Sequence, residues 1–278
     1  MIRRVGIVAA PYKPHATESA RDLAGRLAAL GVETISQMRT GHDDSFAEAL
    51  ETDLVIVLCG DGSLLAVARE AAPRGTPVLG VAMGSFGFLA ETKYEVLCEH
   101  LDGLLHEEPT IERRPLRRVR LLHDDETAFE ALGLNDAVLQ RSIEAPLATA
   151  AVFVDDEYVA TYEGDGLIVA TATGSTAYSL SVGGPIVDPA VPATVIVPIS
   201  PHTLRRRPMV VAAAAAVKVS VGARDPARAD LRLSIDGQIR RKVAVGDTVL
   251  VTQSEHSVKL VRLDSESFYH KMRTKLFY

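Results

Sequence analysis

Cysteine is scarce in this sequence, with two in 278 residues, and no apolar run approaches the ~20 residues that a helical membrane span requires. Cys59 and Cys98 are too few for a disulfide framework, and neither lies in a CxxC pair, which fits a reducing compartment. Met1-Ile2-Arg3-Arg4 leads straight into a strand pattern, unlike the charged and apolar regions of a secretory signal. Net charge is −6 and the pI about 5.8, so no global basic field is available for nucleic acid or anionic lipid. The basic cluster Arg205-Arg206-Arg207 reads as a solvated loop, with a phosphate patch for an anionic substrate as the alternative. The expectation is a soluble cytoplasmic protein with no nucleic-acid or membrane partner.

Two nucleotide-binding signatures are also missing. The sequence contains no Gly-Lys dipeptide, hence no Walker A loop. The first strand ends Ala9-Ala10-Pro11, and the partial match Gly60-x-Gly62 has Leu65 where the third glycine of a Rossmann fingerprint belongs. The eight histidines show no paired spacing such as HxxxH, so no metal site built wholly from protein is expected.

What is present begins with alternating strands and helices. Strands are predicted over 4–10, 32–36, 54–58 and 78–82, and helices over 17–30, 44–50, after Ser63, and over 94–106. In the 17–30 helix Ala20, Leu23, Leu27 and Leu30 share one face, and Gly31 stands just past its end. Strongly apolar strands alternating with helices imply a parallel sheet, and ligands collect beyond the carboxyl ends of such strands. From about Thr110 the texture changes to short strands, at 117–122, 127–132, 150–154, 157–161, 167–170, 195–198, 209–212, 217–221, 231–235 and 248–252. The expected fold is an α/β N-terminal domain with a parallel sheet, residues 1–108, followed by a β-rich domain, residues 109–263. The basic, aromatic tail 264–278 either packs back on the first domain or sits at an oligomer interface.

Four segments carry chemistry. Cys59-Gly60-Asp61-Gly62-Ser63 follows the apolar run 54–58, placing Asp61 beside backbone N–H groups that suit a phosphorylated ligand. On their own these residues favour an ordinary β–α turn with Asp61 or Ser63 as N-cap. Gly84-Ser85-Phe86-Gly87-Phe88 follows the fourth strand and offers close backbone approach with an aromatic ring. Asn135-Asp136 stands at a strand end, where an amide can read a base edge and a carboxylate can hold hydroxyls. Residues 164–185 combine small residues, Ser and Thr hydroxyls and Tyr178 in one polar, close-approach surface.

These segments, in this order, resemble the NAD kinases. That family's GGDG turn, Asn-Glu pair and DGxxxxTPTGSTAYxLSxGGP stretch appear here as Cys59-Gly60-Asp61-Gly62, Asn135-Asp136 and residues 165–185. Pro198-Ile199-Ser200-Pro201-His202 with Arg207-Pro208, and Asp236-Gly237-Gln238, resemble two later elements. The resemblance implies phosphoryl transfer from ATP, or polyphosphate in some members, to the adenosine 2′-hydroxyl of NAD. It also implies a β-sandwich C-terminal domain that binds NAD, Mg²⁺ bound through ATP, and assembly as a homodimer or homotetramer. By position, Asp61 would engage the accepting hydroxyl, and Gly60 and Gly62 would admit phosphates to the backbone. Phe88, Thr173, Thr176, Ala177 and Tyr178 would line the adenosine pocket, with Asn135 and Asp136 holding the nucleoside and Ser181 at its edge. Asp165 would lie close by, and His202 would approach the nicotinamide half.

Two other readings share some of these features. A lipid or sugar kinase can carry the same GDG turn, but it has no use for the Asn135–Asp136 pair or the 173–178 stretch. A module that holds NAD without phosphorylating it would be marked by the missing GxGxxG, and would not need Asp61 and Asp165 together.

Overall fold

The structure, a computed structural model, describes residues 2–13, 15–41, 45–84, 87–90, 92–203, 205–263 and 267–276. Ser85, Phe86, Asp44 and part of the 264–278 tail therefore lie outside the described residues. The chain divides into two compact units, Met1–Arg114 with His256–Tyr278, and Pro115–Glu255.

In the first unit the strands Glu33–Met38, Arg4–Ala9, Leu54–Cys59 and Val78–Ala82 lie side by side in that order and run parallel. Every residue of Leu54–Cys59 and Val78–Ala82 is buried, as expected for parallel strands covered on both faces. The helix Ala16–Ala29 packs Ala20, Leu23 and Leu27 into the same cluster as Val5, Ile7, Ile56 and Leu79. The helix expected over 94–106 is two, Tyr94–Glu99 and Leu101–His106, because His100 (φ −101°, ψ 6°) leaves helical geometry. Register pairs Cys59 with Ala82, and the Met83 N–H donates to the Cys59 carbonyl at 3.0 Å. The loops leaving these two strands thus start side by side, which brings the acidic turn next to residues 87–90.

The second unit is two antiparallel sheets. One orders Glu157–Gly164, Ala148–Val154, Val217–Ala223 and the start of Thr248–Arg262. The other orders Met209–Ala212, Ala193–Ile199, Gly166–Thr171, Asp136–Arg141, Leu231–Ile235 and Ile239–Val243. Val152, Val219 and Val251 of the first sheet share a core with Leu139, Val169 and Leu233 of the second, which makes a sandwich. The outer face of the second sheet is partly covered, where Ile168, Val195 and Val197 pack against Val182 and Val187. The α/β-plus-β-rich architecture expected from the sequence is the one observed. Three strands were not expected: the two-residue Thr92–Lys93, Asp136–Arg141, which begins at the Asn-Asp pair, and Ile239–Val243.

Turn chemistry is equally direct. Asp155 and Asp156 both take positive φ (49° and 65°) between the Ala148–Val154 and Glu157–Gly164 strands, the geometry of a tight hairpin turn. Between Thr110–His123 and Glu126–Gly133, Asp124 and Asp125 repeat it. At that hairpin the His123 ring Nδ1 lies 2.7 Å from the buried Asp247 carboxylate. The Asp247 hydrogen bond, with the Asp124 and Asp247 charges, raises the His123 pKa above its ordinary value. A raised folded-state value means that the pairing stabilises fully below the unfolded value of about 6.5 and fades as pH rises through the folded one. His123→Asn should therefore lower the melting temperature more at pH 6 than at pH 8.5; an equal loss at both, in thermal unfolding, would show that the contact does not titrate.

Candidate active site

The sequence-predicted residues fall into both units. Gly60, Asp61, Gly62 and Phe88 belong to the first, and Asn135, Asp136, Asp165, Thr173, Thr176, Ala177, Tyr178, Ser181 and His202 to the second.

The helix Asp61–Arg74 starts on the acidic turn itself, with Gly60 at the N-cap position and no side-chain cap. Asp61 and Ser63 therefore do not cap it. Ser63 is buried, and its hydroxyl meets Tyr12 Oη at 2.7 Å and receives Arg39 Nη1 at 2.9 Å. Asp61 turns to the neighbouring loop, where its carboxylate accepts the N–H groups of Phe88 (2.8 Å), Leu89 (3.3 Å) and Ala90 (3.1 Å). The amides that Asp61 meets thus belong to residues 88–90 rather than to its own turn. Gly87 must be glycine for this, because a Cβ there would land on the Asp61 carboxylate. Lys275, from the helix Phe268–Leu276, donates to the Gly87 carbonyl and stands 4.9 Å over the Phe88 ring. Lys13 Nζ reaches the space beside Gly60, and Arg39 is buried, so two cations flank the turn.

In the second unit a cavity of about 430 Å³ is lined by Asn135, Asp136, Ala177 and Tyr178 together with Ser234, Asp236, Arg232 and Arg240. A carboxylate again sets the loop. Asp236, at φ 50° in a turn, accepts the N–H groups of Leu134 (3.0 Å), Asn135 (2.7 Å) and Asp136 (3.1 Å). Gly174 packs so closely on Asn135 that a Cβ would meet its backbone. The buried hydroxyls of Thr171 and Ser175 are consumed internally: Thr171 donates to Leu134 O at 2.6 Å and Ser175 to Ala172 O at 2.7 Å. They fix the loop instead of presenting a polar surface. Thr173, Thr176, Asp165, Ser181 and His202 do not line this cavity. Asp165 is held by Arg141 at 2.8 Å, and the exposed His202 donates its backbone N–H to Glu163 O at 2.8 Å.

Asp136 is 6% exposed and accepts no side-chain hydrogen bond among the described residues. Burial, and secondarily the Asp236 charge, push its pKa up to about 7. Among the described residues no group of three or more His, Cys, Asp or Glu is placed to hold a metal, and no helix is long and apolar enough to cross a membrane.

Comparison with known proteins supplies the decisive observation. Residues 46–109 match the ATP-NAD kinase N-terminal domain and residues 134–263 the ATP-NAD kinase C-terminal domain. The chain belongs to the NAD kinase family. It is 35% identical to an NAD kinase of Syntrophotalea carbinolica across 99% of this chain and 98% of the relative. It is 37% identical to one of Heliobacterium modesticaldum across 98% of each. The fold matches that of a yeast NADH kinase solved with NADH (TM-score 0.87, 23% identity, 99% of this chain and 88% of that one). It also matches an Archaeoglobus fulgidus NAD kinase solved with ATP (TM-score 0.78, 24% identity, 98% of each).

The chain's departures from the family pattern now have structural readings. Cys59 ends a strand in extended conformation, so the position needs no glycine. Burial, with the Asp61 charge second, pushes its thiol up to about 12, which removes it as a nucleophile at neutral pH. Ala172, where the family pattern has proline, keeps φ at −57°, close to the angle a proline ring imposes. The Glu163 carboxylate lies 3.6 Å from Arg224, which offsets its charge. Arg240 escaped the sequence reading because the strand Ile239–Val243 was not recognised, and Arg232, on the expected 231–235 strand, belongs to none of the motifs that pointed to the site.

The buried acid has a measurable consequence. A raised folded-state pKa means that the native chain prefers Asp136 protonated, so stability falls as pH rises from the ordinary carboxylate range towards about 7. Asp136→Asn, neutral at every pH, should gain in melting temperature over wild type at pH 8 and lose that advantage at pH 4.5. A difference independent of pH would contradict the burial of a titrating acid.

Proposed function

We propose that this enzyme phosphorylates NAD to NADP, with ATP as phosphoryl donor. Family membership across both matched domains supports the reaction, and the observation that carries the site assignment is the Asp61 carboxylate fixed by three successive amides. Two carboxylate oxygens offer about four acceptor positions, and three N–H groups leave room for one more donor. A ribose 2′-hydroxyl is such a donor. Asp61 orients it and takes its proton late, since positioning outweighs deprotonation in a loose phosphoryl-transfer transition state.

Gly60 and Gly62 let phosphates approach the helix start, where backbone N–H groups and the cations Lys13 and Arg39 favour negative charge. Asn135, Asp136, Ala177 and Tyr178 take the nucleoside: the amide reads the base edge, the acid holds hydroxyls, and the half-exposed Tyr178 ring stacks. Thr173, Thr176, Phe88, Ser181, Asp165 and His202 complete the substrate contacts in this reading. A divalent ion, held through the ATP phosphates rather than by a cluster of protein ligands, would supply neutralisation of the charge that develops on the transferred group. Polyphosphate as an alternative donor, homodimeric or homotetrameric assembly and a cytoplasmic location belong to the same proposal.

The test is NADP formation in a coupled assay. Wild type should form NADP from NAD and ATP, and Asp61→Asn should retain NAD binding while losing at least roughly a hundredfold in turnover. A variant turning over at close to the wild-type rate would remove Asp61 from the chemistry.

A further inference from the structure

The cavity of the second unit has a basic end that the nucleoside contacts do not use. Arg232 and Arg240 line it opposite Asp136, and both also line an adjoining hollow with Lys242. Strand alternation puts all three on the same face. Leu231, Leu233 and Ile235 point into the sandwich core, so Arg232 and Ser234 face outward. On the edge strand, Val243 faces inward and Arg241 sits 4.2 Å over the Phe129 ring, so Arg240 and Lys242 face outward. Register sets Arg232 directly opposite Lys242 and Ser234 opposite Arg240.

Like charges directly opposed on a sheet are destabilising unless an anion joins them. Among the described residues the only carboxylate paired with the three cations is Asp230, 3.9 Å from Arg232. Edge strands carry charge to discourage pairing with other chains, which accounts for Lys242 but not for two guanidinium groups on a cavity wall. Arg232 pairs in register with Gln140, four residues along the strand from Asp136, a separation of about 13 Å. Asp136 thus sits at one end and Arg232 at the other, with Arg240 between them opposite Ser234, so a phosphate held from the Arg232 side is kept away from Asp136.

We propose that Arg232 and Arg240, with Lys242 beside them, form an anion subsite that grips a phosphate of the nucleotide whose nucleoside end lies at Asn135, Asp136 and Tyr178. The proposal rests on the nucleotide reading of this cavity. The phosphate comes either from the 5′-diphosphate or from a 2′-phosphate, and guanidinium forks suit both.

The experiment measures binding of adenosine, adenosine 2′-monophosphate and ADP by calorimetry, to wild type and to the Arg232→Gln/Arg240→Gln variant, with thermal unfolding as a folding control. Wild type should bind at least one phosphorylated ligand about tenfold or more tightly than adenosine. The variant should lose that margin, and its salt dependence, while holding adenosine to within about twofold of wild type. Whichever of the two phosphorylated ligands loses affinity identifies the phosphate. A margin that survives in the variant, an equal loss for adenosine, or no phosphate preference in wild type would overturn the subsite. The NADP assay on wild type separates the two readings: activity with an intact margin in the variant sinks only the subsite, and inactivity with an arginine-dependent margin sinks only the kinase reading.

Discussion

One carboxylate gathering three successive peptide N–H groups is the interaction on which the site geometry rests, and it occurs twice. Asp61 collects residues 88–90 in the first unit, and Asp236 collects residues 134–136 in the second. Bonds from N–H to a carboxylate contribute on the order of 1.5–3 kcal/mol each, enough to hold residues 88–90, which lie in no strand, and to fix the approach to the strand Asp136–Arg141. In each case the loop lies against a glycine that tolerates no side chain: Gly87 on Asp61, and Gly174 on Asn135. The result is a pair of segments whose positions are set by a side-chain acceptor, alone at 88–90 and together with the sheet at 134–136.

That arrangement explains how the fold serves the chemistry. In the first unit the parallel strands deliver Cys59 and Ala82 side by side, so the helix that begins at Asp61 starts within reach of the next loop. In the second, the six-stranded sheet puts Asp136, Ser234 and Arg232 on its outer face while Leu139 and Leu233 fill the core. Period-two alternation therefore separates the binding surface from the packing surface residue by residue. Buried Cys59 and Arg39 and the Tyr12–Ser63 contact then lie beneath the acidic turn as its support.

The parallel strands were legible because 54–58 and 78–82 are continuous apolar runs, which leave little choice but a buried strand. Turns such as Asp155-Asp156 follow from residue type, since Asp tolerates the positive φ that both adopt. The strand Ile239–Val243 was not, because Arg240-Arg241-Lys242 hides the alternation behind three consecutive charges. The turn Asp236-Gly237 before it was the available signal for a hairpin. Motif resemblance pointed to Asn135, Asp136, Ala177 and Tyr178, which the structure gathers on one cavity. It could not say that Thr171 and Ser175 spend their hydroxyls on backbone, nor that Asp61 bonds to amides 27 to 29 residues away. Such partners are set by tertiary contact, which composition and spacing do not encode.

The most direct measurement of the central interaction is backbone amide hydrogen exchange at Phe88, Leu89 and Ala90, in wild type and in Asp61→Ala. With the carboxylate as their acceptor, all three amides should exchange slowly in wild type and at least about tenfold faster in the variant. Exchange rates at these residues that are the same in both proteins would contradict the account.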